Sequence, residues 1–112
     1  MNNKSFESLE ESVLEFLGTL RSRPGLYFGE TSLSRLQAYL NGYEAGLAAC
    51  GKRLARQDQF HPFHDWVAAK LGFSSSTRGW CKMILDKTVD ERQAFERFFD
   101  LLDEYQRERG FL

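Results

Sequence analysis

A rigid turn followed by a two-sided helix, residues 23–51, constrains this fold more than any other segment. Pro24 fixes its own backbone φ angle, and Gly25 and Gly29 permit backbone angles that other residues avoid. Large apolar residues then recur at the three- and four-residue spacing of an α-helix, namely Leu33, Leu36, Leu40, Tyr43 and Leu47. Small residues run beside them, namely Ala38, Gly42, Ala45, Gly46 and Ala49. A helix with both kinds of face usually has neighbours on two sides, so the pattern predicts a helix at the centre of the fold.

Capping residues set the expected ends of this helix. Ser32 is a candidate N-cap, and Gly51 is a candidate C-terminal stop. The acidic, amphipathic segment before it predicts a first helix from Ser5 to Arg21. Residues 52–59 have no clear period, so they are predicted to form a solvated loop.

Three more helices are predicted in the second half of the chain. One opens at His61-Pro62 and ends at Gly72, a short one runs from Arg78 to Leu85, and the last follows a capping box at Thr88–Glu91. Thr77 and the serines before it would supply the N-cap of the short helix. No alternating strand pattern of useful length occurs. The sequence therefore predicts an all-α fold, with residues 1–112 forming a single helical domain, a compact bundle of about five helices.

The core is expected to be rich in aromatic side chains, because ten of the 112 residues are phenylalanine. The last helix points five residues inward: Ala94, Phe95, Phe98, Leu102 and Tyr105. Phe99 and Leu101 widen its apolar stripe beyond what one neighbouring helix would cover. That excess predicts a spare apolar band on the last helix.

Charge is nearly balanced overall but unevenly distributed. The formal net charge is −1, which gives no general attraction to nucleic acid or to an anionic membrane. Residues 83–104 nevertheless hold seven acidic side chains against three basic ones, and residues 21–82 hold nine basic against four acidic. Either the acidic ends pack beside the basic middle, or the acidic last helix faces a basic partner. Several of these basic residues, together with the aromatic residues Tyr27 and Phe28 that lie between them, resemble a phosphate-binding patch. The acidic segments on either side favour a solvated face with salt bridges instead.

Neither a leader sequence nor a membrane span is expected, since no apolar run has the necessary length. A cytoplasmic protein follows as the expectation. Cys50 and Cys81 are far apart in apolar helical contexts, so both are predicted to be reduced and buried.

The histidines are the obvious candidates for chemistry. His61 and His64 are three residues apart and could bracket a metal with Asp65, but the set falls short of a zinc signature. Cys81 could act as a nucleophile with His64 as its base, although a buried cysteine that packs as a small hydrophobe explains the residue equally. We therefore expect no catalytic residues, no metal and no cofactor.

Two surfaces are candidates for binding a partner. The first is the acidic side of the last helix, with Asp90, Glu96, Asp100, Asp103 and Glu104. The second is the loop at residues 74–80, from which Ser75, Ser76 and Arg78 could contact an anion or another protein. Capping and loop geometry account for the same hydroxyl groups.

Three blocks of the sequence resemble a group of small bacterial cytoplasmic proteins. The blocks are RPGLYFGETSLSRLQAYLNGY, FHDWVAAKLGFSSSTRGWCKMIL and AFERFFDLLDEY, in this order. The group includes uncharacterised proteins and immunity proteins encoded beside polymorphic or contact-dependent toxins. The resemblance implies a helical binding protein and carries no catalytic residues.

The expected function is that of a non-enzymatic immunity protein, which neutralises a bacterial toxin by occluding it. The alternative is a cytoplasmic interaction or regulatory module, a homodimer joined through the last helix. The oligomeric state itself stays open at this point.

Overall fold

The computed structural model describes residues 6–111. In chain order it contains β1 (Glu7–Ser12), α1 (Val13–Ser22), α2 (Pro24–Phe28), α3 (Leu33–Ala49), β2 (Lys52–Ala55), α4 (Gln57–Phe60), α5 (Phe63–Leu71), α6 (Trp80–Asp86) and α7 (Glu91–Arg109). The chain is mostly helical, with a small sheet of two parallel strands. The predicted all-α fold is therefore right for the helical part and wrong for two segments.

The first correction concerns the predicted helix from Ser5 to Arg21, of which Ser5 lies outside the described residues. Its first half is strand β1, and helix α1 begins only at Val13. Ser12 and Glu15 form a capping box: the Ser12 hydroxyl accepts from the Glu15 backbone N–H, and the Glu15 carboxylate accepts from the Ser12 N–H. This box starts a helix at Val13 and leaves the preceding residues free to extend.

The second correction concerns residues 52–59, predicted to be a solvated loop. They form strand β2 and the single-turn helix α4, and Leu54 in β2 is completely buried. Strand β2 pairs with β1 in parallel, with Glu7 opposite Lys52 and Ser12 opposite Ala55. The opposite charges of Glu7 and Lys52 are compatible with this register.

Helix α3 follows the prediction closely. It runs from Leu33 to Ala49 with Ser32 as its N-cap, and Leu33, Leu36 and Leu40 are buried. Its N-terminus is held by α7, because the Glu91 carboxylate accepts hydrogen bonds from the Ser34 backbone N–H at 2.8 Å and from the Ser34 hydroxyl at 2.6 Å. The Ser32 hydroxyl donates to the same carboxylate at 3.0 Å.

Helix α7 keeps its predicted buried face but not its predicted cap. Asp90, rather than Thr88, is the N-cap and accepts from the Gln93 backbone N–H, while the Thr88 hydroxyl donates back to the Ile84 carbonyl oxygen. Glu91 is therefore free to reach α3. The spare apolar band expected at Phe99 and Leu101 does not exist, since both side chains are buried.

The core is aromatic, as expected. Phe98 stacks on Trp80 with ring centroids 4.7 Å apart and meets Phe63 edge-on at 5.7 Å. Tyr105 continues this group at 5.3 Å from Phe63, and its hydroxyl donates to the Gln59 carbonyl oxygen at 2.6 Å. These contacts join α4, α5 and α6 to α7 and so fix the walls of the cleft described next.

Candidate functional site: a cleft beside helix α3

A cleft of about 480 Å³ opens between α3, the α4–α5 region and α6. We call it the α3 cleft; it is lined by Gln37, Leu40, Asn41, Glu44, Gln57, Asp58, Phe60, His61, His64 and Trp80. Its volume lies within the range of small-ligand and peptide-anchor pockets. Polar side chains form its rim, whereas Leu40, Phe60 and Trp80 are buried and form its base.

Helical spacing brings the α3 residues of the cleft together. Gln37, Asn41 and Glu44 are separated by four and three residues, so they share one side of the helix. That side adjoins the buried leucines, which dock α3 on the core. The sequence analysis does not predict these three residues as part of a site. The signal available in the sequence is their helical spacing beside the apolar stripe of α3.

A tight backbone reversal positions the opposite wall. Arg56 has φ 54° and ψ 46°, the left-handed conformation that non-glycine residues rarely adopt. It turns the chain from β2 into α4. The Gln57 side-chain amide then donates to the Leu54 carbonyl oxygen at 3.1 Å and to the Glu44 carboxylate at 3.5 Å, which links this wall to α3.

The two histidines lie on the rim, with ring centroids 6.1 Å apart. Burial lowers the pKa of His64, and the nearby charge of His61 adds to that effect, while Asp65 acts in the opposite direction. At neutral pH the His64 ring is therefore uncharged. Within residues 6–111, no group of three or more His, Cys, Asp or Glu side chains is placed to hold a metal ion.

The outer face of α3 borders the cleft, and within residues 6–111 it is not covered by the second helical neighbour that the sequence predicts. We define this face by its five small residues, Ala38, Gly42, Ala45, Gly46 and Ala49, all of which are exposed. The second helical neighbour expected for them is absent from the described part of the chain. A Cβ atom added at Gly42 or Gly46 would have no atom within 4 Å apart from the helix's own backbone and adjacent residues, so internal packing does not require glycine there.

The acidic residues proposed for partner binding are distributed over α7 and largely engaged within the fold. Asp103 pairs with Arg21 at 3.0 Å, Glu104 pairs with Lys70, and Glu96 lies 3.8 Å from Arg92. Asp90 caps the helix, and Asp100 is exposed. The acidic ends thus pack in part against the basic middle of the chain.

The loop residues proposed for partner binding also make internal contacts. The Ser76 hydroxyl donates to Asp65 at 2.5 Å, the Ser75 and Thr77 hydroxyls share a hydrogen bond, and Arg78 pairs with Asp86 at 2.7 Å. The N-cap of α6 is Gly79, with no side-chain cap, so the predicted serine or threonine cap is wrong. Gly79 has a φ of 85°, which favours glycine at this position.

The cysteines differ from each other. Cys81 is buried as predicted, and burial raises its pKa to about 11. Cys50, at the C-cap of α3, is exposed, so the prediction for this residue is wrong. It follows the outer face of α3, which has no covering neighbour in the described residues.

No helix among residues 6–111 is long and apolar enough to cross a membrane. Comparison with protein-family models, curated proteins and solved structures gives no match. The site must therefore be interpreted from its own geometry.

Proposed function

We propose that this chain is a non-enzymatic binding protein whose partner docks on the outer face of α3 and the adjoining cleft. The observation that carries the proposal is the continuity of these two surfaces. An exposed helix face normally carries several charged residues, but after Arg35 in the first turn of α3 no exposed residue of this helix is charged. Beside it lies a cleft with an aromatic base and polar rim, the composition of an anchor pocket in a protein interface.

The two glycines support docking on this face. A glycine inside a helix costs about 1 kcal/mol relative to alanine. Gly42 and Gly46 have helical backbone angles and open space around them, so the fold itself gains nothing from them. Small residues at a spacing of four do, however, let a second backbone approach closely.

The partner we propose is a bacterial toxin, which the chain neutralises by covering its active site. This part rests on the resemblance of the three sequence blocks to immunity proteins. The acidic side of α7 has less support as the docking surface, because Asp103 and Glu104 already have basic partners in the fold.

Replacing Gly42 by Arg tests docking on the outer face of α3 without an expected loss of folding stability. The change adds bulk and charge to the outer face, and it should raise stability by about 0.5–1 kcal/mol because arginine favours helices more than glycine does. It should nevertheless weaken binding to a toxin domain encoded by the neighbouring gene by about tenfold or more, since interface cores tolerate such insertions poorly. The measurements are surface-plasmon affinity, rescue of bacterial growth on co-expression, and urea unfolding.

Ala69→Arg is the matched control, because Ala69 is exposed on α5 outside this surface. Asp100→Lys examines the acidic side of α7 in the same assay. Unchanged affinity for Gly42→Arg together with weakened binding for Asp100→Lys would reject the α3 surface in favour of α7.

A homodimeric interaction module is the second candidate. Burial of Phe99 and Leu101 removes the apolar surface through which α7 was expected to join two copies. The outer face of α3 is the alternative, because two such faces could pack on each other. Light scattering after size exclusion distinguishes the candidates: a monomer favours the toxin-binding function, and a dimer that Gly42→Arg dissociates favours the module.

A further inference from the structure

The α3 cleft contains acidic groups without basic partners. Glu44 and Asp58 line it, and neither forms a salt bridge with any residue in the described range 6–111. The only polar contact of the Glu44 carboxylate with another side chain there is the long one from Gln57. Glu44 is nonetheless half-buried, so its charge is partly removed from water.

Basic residues lie close by, but outside the cleft. Lys52 and Arg53 share a neighbouring cavity of about 270 Å³ with Glu44. Arg53 and Arg56 share another cavity with Asp58. Among residues 6–111, no lysine or arginine lines the cleft itself. A positive charge inside it would therefore meet acidic groups first.

The uncharged groups of the cleft suit one cation in particular. Guanidinium is planar, stacks on aromatic rings and donates several hydrogen bonds in a fixed fork. Phe60 and Trp80 form the aromatic base, while the side-chain amides of Gln37 and Asn41 supply oxygen acceptors beside the Glu44 carboxylate. An ammonium group would use the acids but gain less from the aromatic base.

His64 makes the net charge of the cleft depend on pH. His61 and His64 face the cleft from the α4–α5 turn and α5, opposite Glu44 on α3 and close to Asp58 on α4. Burial lowers the pKa of His64, which favours its neutral ring and leaves the charge of the two carboxylates uncompensated by this residue. Protonation of His64 at lower pH would offset part of that charge and oppose a bound cation.

We propose that the α3 cleft receives an arginine side chain presented by the protein that docks on α3. This inference deepens the proposed function and rests on it for the identity of the partner. The cleft volume leaves room for the arginine together with its neighbouring backbone, so a short basic segment of the partner is the occupant.

The test uses a small probe rather than the partner. Acetyl-Gly-Arg-Gly-amide is titrated into the full chain and followed by NMR at the Trp80 indole and the His64 ring. The same peptide with citrulline, which is neutral and nearly isosteric, is the matched ligand control. We expect saturable shifts at the cleft with the arginine peptide and an affinity about tenfold lower for citrulline, because charge-assisted hydrogen bonds are lost.

Two variants locate the binding. Glu44→Gln should weaken the arginine peptide about fivefold or more, whereas Glu96→Gln, an exposed acid on α7, should leave it unchanged. Affinity should also fall when the pH is lowered far enough to protonate His64, whose pKa is lowered by burial. Equal affinities for the two peptides, shifts remote from the cleft, or no saturation up to tens of millimolar would each overturn the inference.

The outcome is separable from that of the docking experiment. Gly42→Arg changes the outer face and not the cleft, whereas the peptide assay needs no toxin. If the arginine peptide does not bind the cleft but the toxin still binds the protein, only the arginine anchor is rejected. Peptide binding without toxin binding supports the anchor pocket and rejects the toxin as the partner.

Discussion

At the scale of single residues, Trp80 joins the core to the cleft. It is only 3% exposed, stacks on Phe98 and meets Phe60 edge-on at 6.0 Å. Trp80→Ala should destabilise the domain by about 3–5 kcal/mol, because it leaves a large cavity among side chains that cannot close it. Phe98→Ala should cost a similar amount. Urea unfolding measures both, with the exposed Val89→Ala as control, which should change stability by less than about 0.5 kcal/mol.

A small effect for Trp80→Ala would contradict this packing. A loss below about 1 kcal/mol is what surface truncation gives. In that case the indole would contribute little to the core.

The cysteines should differ in reactivity. The thiolate is the nucleophile, and burial raises the pKa of Cys81 to about 11, so almost none of it is ionised near neutral pH. Cys50 is exposed. Native protein should therefore take up one equivalent of iodoacetamide rapidly and a second only on unfolding, as counted by mass spectrometry. Cys50→Ser should abolish the rapid step, and rapid uptake of two equivalents would show that α6 opens readily.

At the scale of elements, Glu91 fixes α3 to α7. Burial acts to raise the pKa of Glu91, but the hydrogen bonds from Ser34 and Ser32 outweigh it and lower the pKa overall. A carboxyl whose pKa is lower in the folded than in the unfolded state stabilises the fold above the unfolded value. That contribution is lost as the pH falls through the folded value.

Glu91→Gln should therefore cost about 1 kcal/mol near pH 7, the difference between charged and neutral hydrogen bonds at a partly exposed site. The difference from the wild type should shrink as the pH falls below the ordinary range of glutamate. Glu96→Gln removes the same charge from an exposed position that pairs with Arg92, and should cost a few tenths of a kcal/mol. Urea unfolding from pH 7 down to pH 3 provides the measurement. A cost for Glu91→Gln that is independent of pH would mean that the charge of Glu91 contributes nothing.

The elements also differ in how well sequence predicts them. Helices α3, α5 and α7 have long apolar stripes and clear ends, and they were predicted to within a few residues. Strand β1 was misread because Phe6, Leu9 and Val13 continue the helical spacing of α1, although the Ser12–Glu15 box marked the boundary. Strand β2 has a single buried apolar residue, Leu54, so its pairing depends on a distant segment that local pattern cannot reveal.

At the scale of the whole molecule, the α3 cleft illustrates the same limit. Its residues come from four elements, and only tertiary packing brings Glu44, Asp58 and His64 to one opening. The spacing of the histidines is visible in the sequence, whereas the polar groups of α3 match no motif. The small residues of the outer face of α3 predict an internal neighbour, since burial is the usual fate of such residues.

The parallel pairing of β1 with β2 has a consequence for the order of folding. Parallel strands cannot be joined by a short turn, and here the connection contains α1, α2 and α3. We expect the strands to meet only after those helices have docked, because the entropy of closing so long a loop must first be offset by other contacts. An interaction formed late affects the unfolding rate more than the folding rate. Substitutions that weaken the pairing of β1 with β2 should therefore shorten the lifetime of the native state while leaving its rate of formation almost unchanged.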